Sequence, residues 1–226
     1  MNLMLHLVVF ALLTAAASGG PLATKGELLL SDDFASMPAD RKPHKFGLGW
    51  KRKISFGAWA ALKDGGVQAA NIPEQGHGPV LTYLGPVKDV IIECEFRLPA
   101  KEGPDRHFRI FLDHPDYRGH NIAAWANLAT KFQPLGLTLL HNPKTADKKV
   151  MEEVRFGPEA IELTPDVWHR MRLEVVGRNV RVTVGEVVVS GSHPRMATTR
   201  NKIGLNPGKA GGTLRNFRMW TAIPAN

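Results

Sequence analysis

The nine residues Asp113-His114-Pro115-Asp116-Tyr117-Arg118-Gly119-His120-Asn121 bring two carboxylates, two imidazoles and an amide together between two strand-like runs. Asp113 or Asp116 could act as a general acid/base or bind a cation. His114 or His120 could move protons near neutral pH, since an unperturbed imidazole titrates at about 6.5. Glycoside cleavage often pairs two carboxyl groups, and their separation, roughly 5–9.5 Å, decides between retention and inversion. The same composition also suits a polar hairpin turn in which Asp caps its own backbone, so both readings stay open here.

Other residues have the chemistry of a binding surface. Trp125 shares an alternating face with Asn121 and Asn127; its ring can stack on the C–H side of a sugar while the amides bond hydroxyls, or it can pack in a core. His107, Arg109 and Asp113 share the polar face of their run. His141-Asn142 closes a strand beside a loop. Glu93 and Glu95, two residues apart, share one strand face with Arg97 beside them. They form either a solvated outer face or, if that face is concave, a groove with His107, Arg109 and Asp113.

These residues need a scaffold, and the pattern around them is one of short strands. In Asp89–Leu98, Val90, Ile92, Cys94, Phe96 and Leu98 alternate with mostly polar residues, the period-2 signature of a half-buried strand. His107–Asp113 and Leu135–His141 read as strands, and His120–Asn127 does so more weakly because Ala-rich runs also suit helices. Trp168–Val176, Asn179–Val184 and Glu186–Ser190 form a meander whose turns hold Gly177-Arg178 and Gly185. Gly212–Trp220 closes the series. Met151–Ile161 hints at a helix that Gly157-Pro158 interrupts. With 22 Gly and 16 Pro, the chain reads as an all-β, antiparallel β-sandwich or jelly roll forming one domain over residues 27–222. Trp50, Trp59, Trp168 and Trp220 are expected in its core.

Residues 1–19 read as a signal peptide, with a run from Leu3 to Leu13 that is apolar apart from His6 and a small-residue cleavage region at Ala15-Ala16-Ala17. The run is too short to span a bilayer, so the expectation is export to the periplasm or beyond, without a transmembrane anchor. The single cysteine, Cys94, allows no internal disulfide and is expected to point inward. Lys and Arg number 29 against 21 Asp and Glu, a net charge of +8. The absence of a helix-turn-helix, RNP or zinc-ligand pattern argues against a nucleic-acid partner; a basic face suited to an acidic polysaccharide or anionic surface fits the charge better. No G-x-S-x-G, G-x-G-x-x-G, P-loop or H-E-x-x-H motif is present, which removes the serine-esterase, dinucleotide, P-loop and zincin classes.

Three segments resemble the 3-keto-disaccharide hydrolase family over roughly Leu28 to Thr221. They are Leu29-Leu30-Ser31-Asp32-Asp33-Phe34 with Gly49-Trp50 and Gly57-Ala58-Trp59; Asp166-Val167-Trp168-His169-Arg170 through Val188; and Ile203-Gly204-Leu205 with Leu214-Arg215-Asn216-Phe217-Arg218. The resemblance implies a concanavalin A-like lectin/glucanase sandwich and a carbohydrate substrate, with Arg109 in the place of the family's strand arginine. The family's Asn-Ser-Gly and Glu-x-Gln elements have no counterpart. Two functions follow as expectations. One is hydrolysis or elimination at a glycosidic bond, 3-keto sugars included, with Asp113, Asp116, His114 and His120 handling protons and His107, Arg109, Asn121, Trp125, Glu93, Glu95 and His141 binding substrate. The other is a non-catalytic, lectin-like module. Related sandwiches often hold calcium, but Asp113-x-x-Asp116 offers two oxygen ligands at most where calcium takes six to eight.

Overall fold

The computed structural model describes residues 20–47, 49–101, 105–128, 135–144 and 152–225; the expected signal peptide lies outside them. Sixteen strands run through these residues, all paired antiparallel, in two sheets. The first sheet has the order β14-β13-β12-β7-β16-β5-β4, with β1 also pairing β16. Its members are β1 (Ala23–Asp32), β4 (Ala58–Ala61), β5 (Val67–Ala70), β7 (Val90–Arg97), β12 (His169–Val176), β13 (Asn179–Val184), β14 (Val187–Ser192) and β16 (Gly212–Pro224). The second has the order β11-β10-β9-β8-β15-β6-β3-β2. It comprises β2 (His44–Phe46), β3 (Trp50–Phe56), β6 (Val80–Val87), β8 (His107–Asp113), β9 (Ile122–Asn127), β10 (Leu135–His141), β11 (Glu152–Glu159) and β15 (Arg200–Asn206).

Alternation decides what each strand buries. Val90, Ile92, Cys94 and Phe96 of β7 face Phe108, Ile110 and Leu112 of β8 across the core, and the Phe96 and Phe108 rings stack at 4.7 Å. Trp50, Arg52 and Ile54 of β3 point inward while Lys51 and Lys53 point out. The meander turns where expected, with positive φ at Gly177 (53°) and Gly185 (59°).

Two expectations change. The Met151–Ile161 region holds a strand, not a helix: in β11, Val154 and Phe156 pack toward the core while Glu153 and Arg155 face out, and the strand pairs β10 at the sheet edge, where a proline is tolerated. Trp50 and Trp59 are buried as expected, but Trp168 and Trp220 lie partly exposed beneath cations. Arg215 and Arg97 cover Trp168 at 4.1 and 4.9 Å from the ring centre, and Lys25 covers Trp220 at 3.9 Å.

Candidate functional site

The strand register of the second sheet defines its outer face. Arg109 of β8 lies between Asn206 of β15 and Trp125 of β9, and Trp125 lies next to Gly136 of β10. One step along, Lys53, Thr82, Gly204, Phe111, Ala123 and Thr138 form a row across six strands. His107 faces Asn127, and Lys202 faces Asp113.

Two glycines shape the floor of this face. A Cβ on Gly136 would come within 2.4 Å of the Trp125 ring, and one on Gly204 within 1.9 Å of the Phe111 ring. Each aromatic ring therefore lies down on a neighbouring strand, and Trp125 Nε1 donates to Thr138 Oγ1 at 3.3 Å. Val80, Ala123 and Phe56 complete an apolar patch separate from the main core.

His107 and Arg109 border the patch. Both are half-buried, and His107 Nε2 and Arg109 Nε are sealed from solvent without a hydrogen-bond partner among the described residues. Burial, then the Arg109 charge, lowers the His107 pKa to about 4, so its ring is neutral near pH 7. Asn206 interacts with that ring, while its Oδ1 accepts from Gly208 N at 2.8 Å. Burial also lowers the pKa of Arg109, against the exposed Asp105 at the rim.

The depressed His107 pKa has a stability consequence. Unfolded, this histidine takes up a proton near pH 6.5; folded, it does so only near pH 4. Its contribution is therefore fully present above pH 6.5 and eroded as the pH falls toward 4, by on the order of 3 kcal/mol. Melting curves at pH 7 and pH 4.5 should show a smaller drop for His107→Gln than for the parent protein; equal drops would refute this.

At the other end of the patch, His120 Nδ1 donates to Asp113 Oδ1 at 2.9 Å, and Lys202 Nζ pairs with the other carboxylate oxygen. The His120 ring stacks on Phe111 at 3.8 Å. Asp113 and His120 thus form a compact pair beside the aromatic floor.

The remaining candidates do not converge there. Asp116 is at the turn tip with its side chain 81% exposed, and its backbone N–H donates to His114 Nδ1 at 3.2 Å. His114 stacks on Tyr117 at 4.2 Å, Tyr117 meets the His141 ring edge-on at 4.7 Å, and burial lowers the His114 pKa. The turn is tied down as well, because Arg118 N donates to Asn142 O at 2.7 Å and Lys144 N to Asp116 O at 2.9 Å. His114 and Asp116 belong to this turn, and His141 braces it from the end of β10. Asn121 does not share Trp125's open surface: fully buried, it accepts from Arg200 Nε at 2.7 Å and donates to Leu140 O at 3.3 Å. Its amide holds a buried guanidinium whose other nitrogens donate to Thr198 O and Met196 O.

Glu93 and Glu95 lie on the outer face of the first sheet, so they form no groove with His107, Arg109 and Asp113. Glu93 pairs with Lys25 at 2.9 Å and Arg172 at 3.1 Å, Glu95 with Arg215 at 2.6 Å and Arg170 at 3.0 Å. Partial burial would raise the Glu95 pKa, but hydrogen bonds from Arg215, Arg170 and Asn216 outweigh it and hold the carboxyl below its ordinary value.

Sequence reading places Phe111 on the face of His107, Arg109 and Asp113 without giving it a role, and misses Lys202 and Asn206 as parts of it. The signal was the alternation Lys202-Gly204-Asn206 against the buried Ile203 and Leu205. Among the described residues no group of three or more His, Cys, Asp or Glu is placed to hold a metal ion, and Asp113 is paired with an ammonium and an imidazole.

Two antiparallel sheets closing one core, with an outer face carrying recessed polar groups around flat aromatic rings, define a galectin-like, concanavalin A-like β-sandwich. The chain is similar to a protein of unknown function with a galectin-like fold from Bacillus subtilis (13% identity, TM-score 0.51, covering 90% of this chain and all of that one). It is also similar to the VIP36 exoplasmic/lumenal domain bound to Ca2+ and Man3GlcNAc (11%, 0.53, 78% and 85%) and to the metal-free Emp46p carbohydrate recognition domain (12%, 0.50, 89% and 99%). No protein-family model matches the sequence, and no curated protein is significantly similar to it.

Proposed function

We propose that the protein is a carbohydrate-binding, lectin-like module whose ligand lies across the outer face of the second sheet. The observation that carries this reading is the pairing of a flat Trp125 ring with the half-buried His107 and Arg109, whose inner nitrogens lack partners among the described residues. Leaving such atoms unpaired costs about 1–3 kcal/mol each. A glycan that draws the two side chains into new hydrogen bonds can offset that cost while its apolar face covers the ring. The glycan-bound state of the similar VIP36 domain supports the same class of ligand. Export, suggested by residues 1–19, would place the module where it meets envelope or extracellular glycans.

Hydrolysis is the second reading, favoured by the Asp113–His120 pair beside the same floor and by the sequence resemblance to 3-keto-disaccharide hydrolases. One experiment separates the two: the purified protein is applied to a glycan array, then incubated with the bound glycans and with native and 3-keto disaccharides while products are followed by mass spectrometry. Binding without product is expected. Turnover lost in Asp113→Asn would establish the hydrolase, and failure to bind any glycan would overturn the lectin reading.

A further inference from the structure

The charge on the binding face is not balanced. Arg155 is paired with Glu153 at 2.7 Å and Lys202 with Asp113, but Arg109, Lys51 and Lys53 have no anionic partner within ion-pair distance among the described residues. Lys51 is exposed and Lys53, like Arg109, is half-buried, but Arg109 differs from both in holding a sealed Nε with no hydrogen-bond partner among the described residues. Among the described residues the carboxylate that acts on its charge is Asp105, exposed at the rim and outside ion-pair distance. The adjacent His107 is neutral near pH 7, so the positive charge at this end of the face is that of Arg109.

A neutral sugar would satisfy donors here but leave the guanidinium charge uncompensated as the ligand displaces water around it. Desolvating a charge without a counter-ion is unfavourable. A carboxylate removes the difficulty, because the planar guanidinium fork matches its two oxygens and charge-assisted hydrogen bonds are roughly twice as strong as neutral ones.

Resting on the carbohydrate-binding reading above, we propose that this face selects acidic glycans, with the carboxylate of a uronic acid residue received by Arg109. Lys53 and Lys51 extend the selection along the ligand. Arg109 on β8 and Lys53 on β3 are separated by β15 and β6, three strand spacings or about 14 Å. That span calls for a second acid group further along the chain, so the preferred ligand is an oligouronide rather than one acidic sugar. Trp125 supplies the stacking surface beside the first carboxylate.

Titration calorimetry with a panel of oligouronides and their carboxyl-reduced counterparts tests this, because each pair shares linkage and ring shape and differs in charge. At low salt, at least one acid form should bind ten-fold or more tightly than its reduced partner. Arg109→Gln should erase that preference, and Arg109→Lys should restore it only in part. Lys51→Ala/Lys53→Ala should flatten the salt dependence while leaving some acid preference. Equal binding of acid and reduced forms would overturn the acidic selectivity and leave the glycan reading standing. Binding to neither form, together with a blank glycan array, would overturn both.

Discussion

Trp125→Ala should weaken glycan binding about thirty-fold while leaving the sandwich folded. The ring is only partly buried, lies outside the main core, and rests on Gly136 with Nε1 bonded to Thr138. Truncation removes the broad apolar surface that would meet a sugar ring, and tryptophans central to binding surfaces typically cost about 2 kcal/mol or more when lost. At about 1.4 kcal/mol per factor of ten, that is roughly thirty-fold. Trp125→Phe should recover part of the affinity, because a smaller ring can still lie over Gly136. Calorimetry gives the affinities and a thermal melt checks the fold. Unchanged binding in a folded Trp125→Ala protein would remove the second sheet's outer face as the site.

The sequence made the strands legible wherever one face was apolar and the other polar. Val90–Arg97, His107–Asp113 and the Gly177 and Gly185 hairpins announced themselves by period and by turn chemistry. β11 was harder because its apolar residues, Val154 and Phe156, are few and next to Gly157-Pro158, and its pattern makes sense only when paired with β10. Trp168 and Trp220 misled because alternation reports where apolar mass sits, not whether a cation from another strand will cover it.

The site was legible in pieces. His107, Arg109 and Asp113 on one strand face, and Trp125 on another, were visible from spacing; that β8 and β9 would pair to bring them together was a matter of tertiary register. Glu93 and Glu95 illustrate the opposite case. β7 and β8 are consecutive in the chain, yet the connection between them crosses from the first sheet to the second, so two polar faces that looked adjacent point away from each other on opposite sides of the core. Asn121 shows the same limit at shorter range. Its polarity suggested a ligand, but its actual partner is Arg200, 79 residues away and itself fully buried.

Asp32→Ala should destabilise the protein by about 3–5 kcal/mol, because it leaves a buried cation without its counter-charge. Asp32 ends β1 in the first sheet and is 3% exposed; Arg52 on β3 of the second sheet is 6% exposed. Arg52 Nη1 donates to Asp32 Oδ2 at 2.7 Å, and the Tyr83 hydroxyl donates to the same oxygen, also at 2.7 Å. The other carboxylate oxygen accepts from Phe34 N at 2.7 Å, and Arg52 Nη2 donates to Ser36 O at 2.6 Å. Burial, then the Asp32 charge, raises the Tyr83 pKa well above its ordinary value, so the hydroxyl keeps the proton it donates. The Tyr83 ring also stacks on Phe217 of β16 at 4.7 Å, so one cluster joins the two sheets. For a domain of this size the loss corresponds to a melting-point drop on the order of 10 °C. Asp32→Ala/Arg52→Met should recover much of it, since removing both charges leaves no buried ion unpaired. A single variant that melts with the parent, or a double variant no more stable than the single, would show that the ion pair does not hold the sheets together. Because β3 and β6 carry Arg52 and Tyr83 inward and Lys53 and Thr82 outward, loosening this cluster should also weaken glycan binding from beneath the site, without touching a residue that meets the ligand.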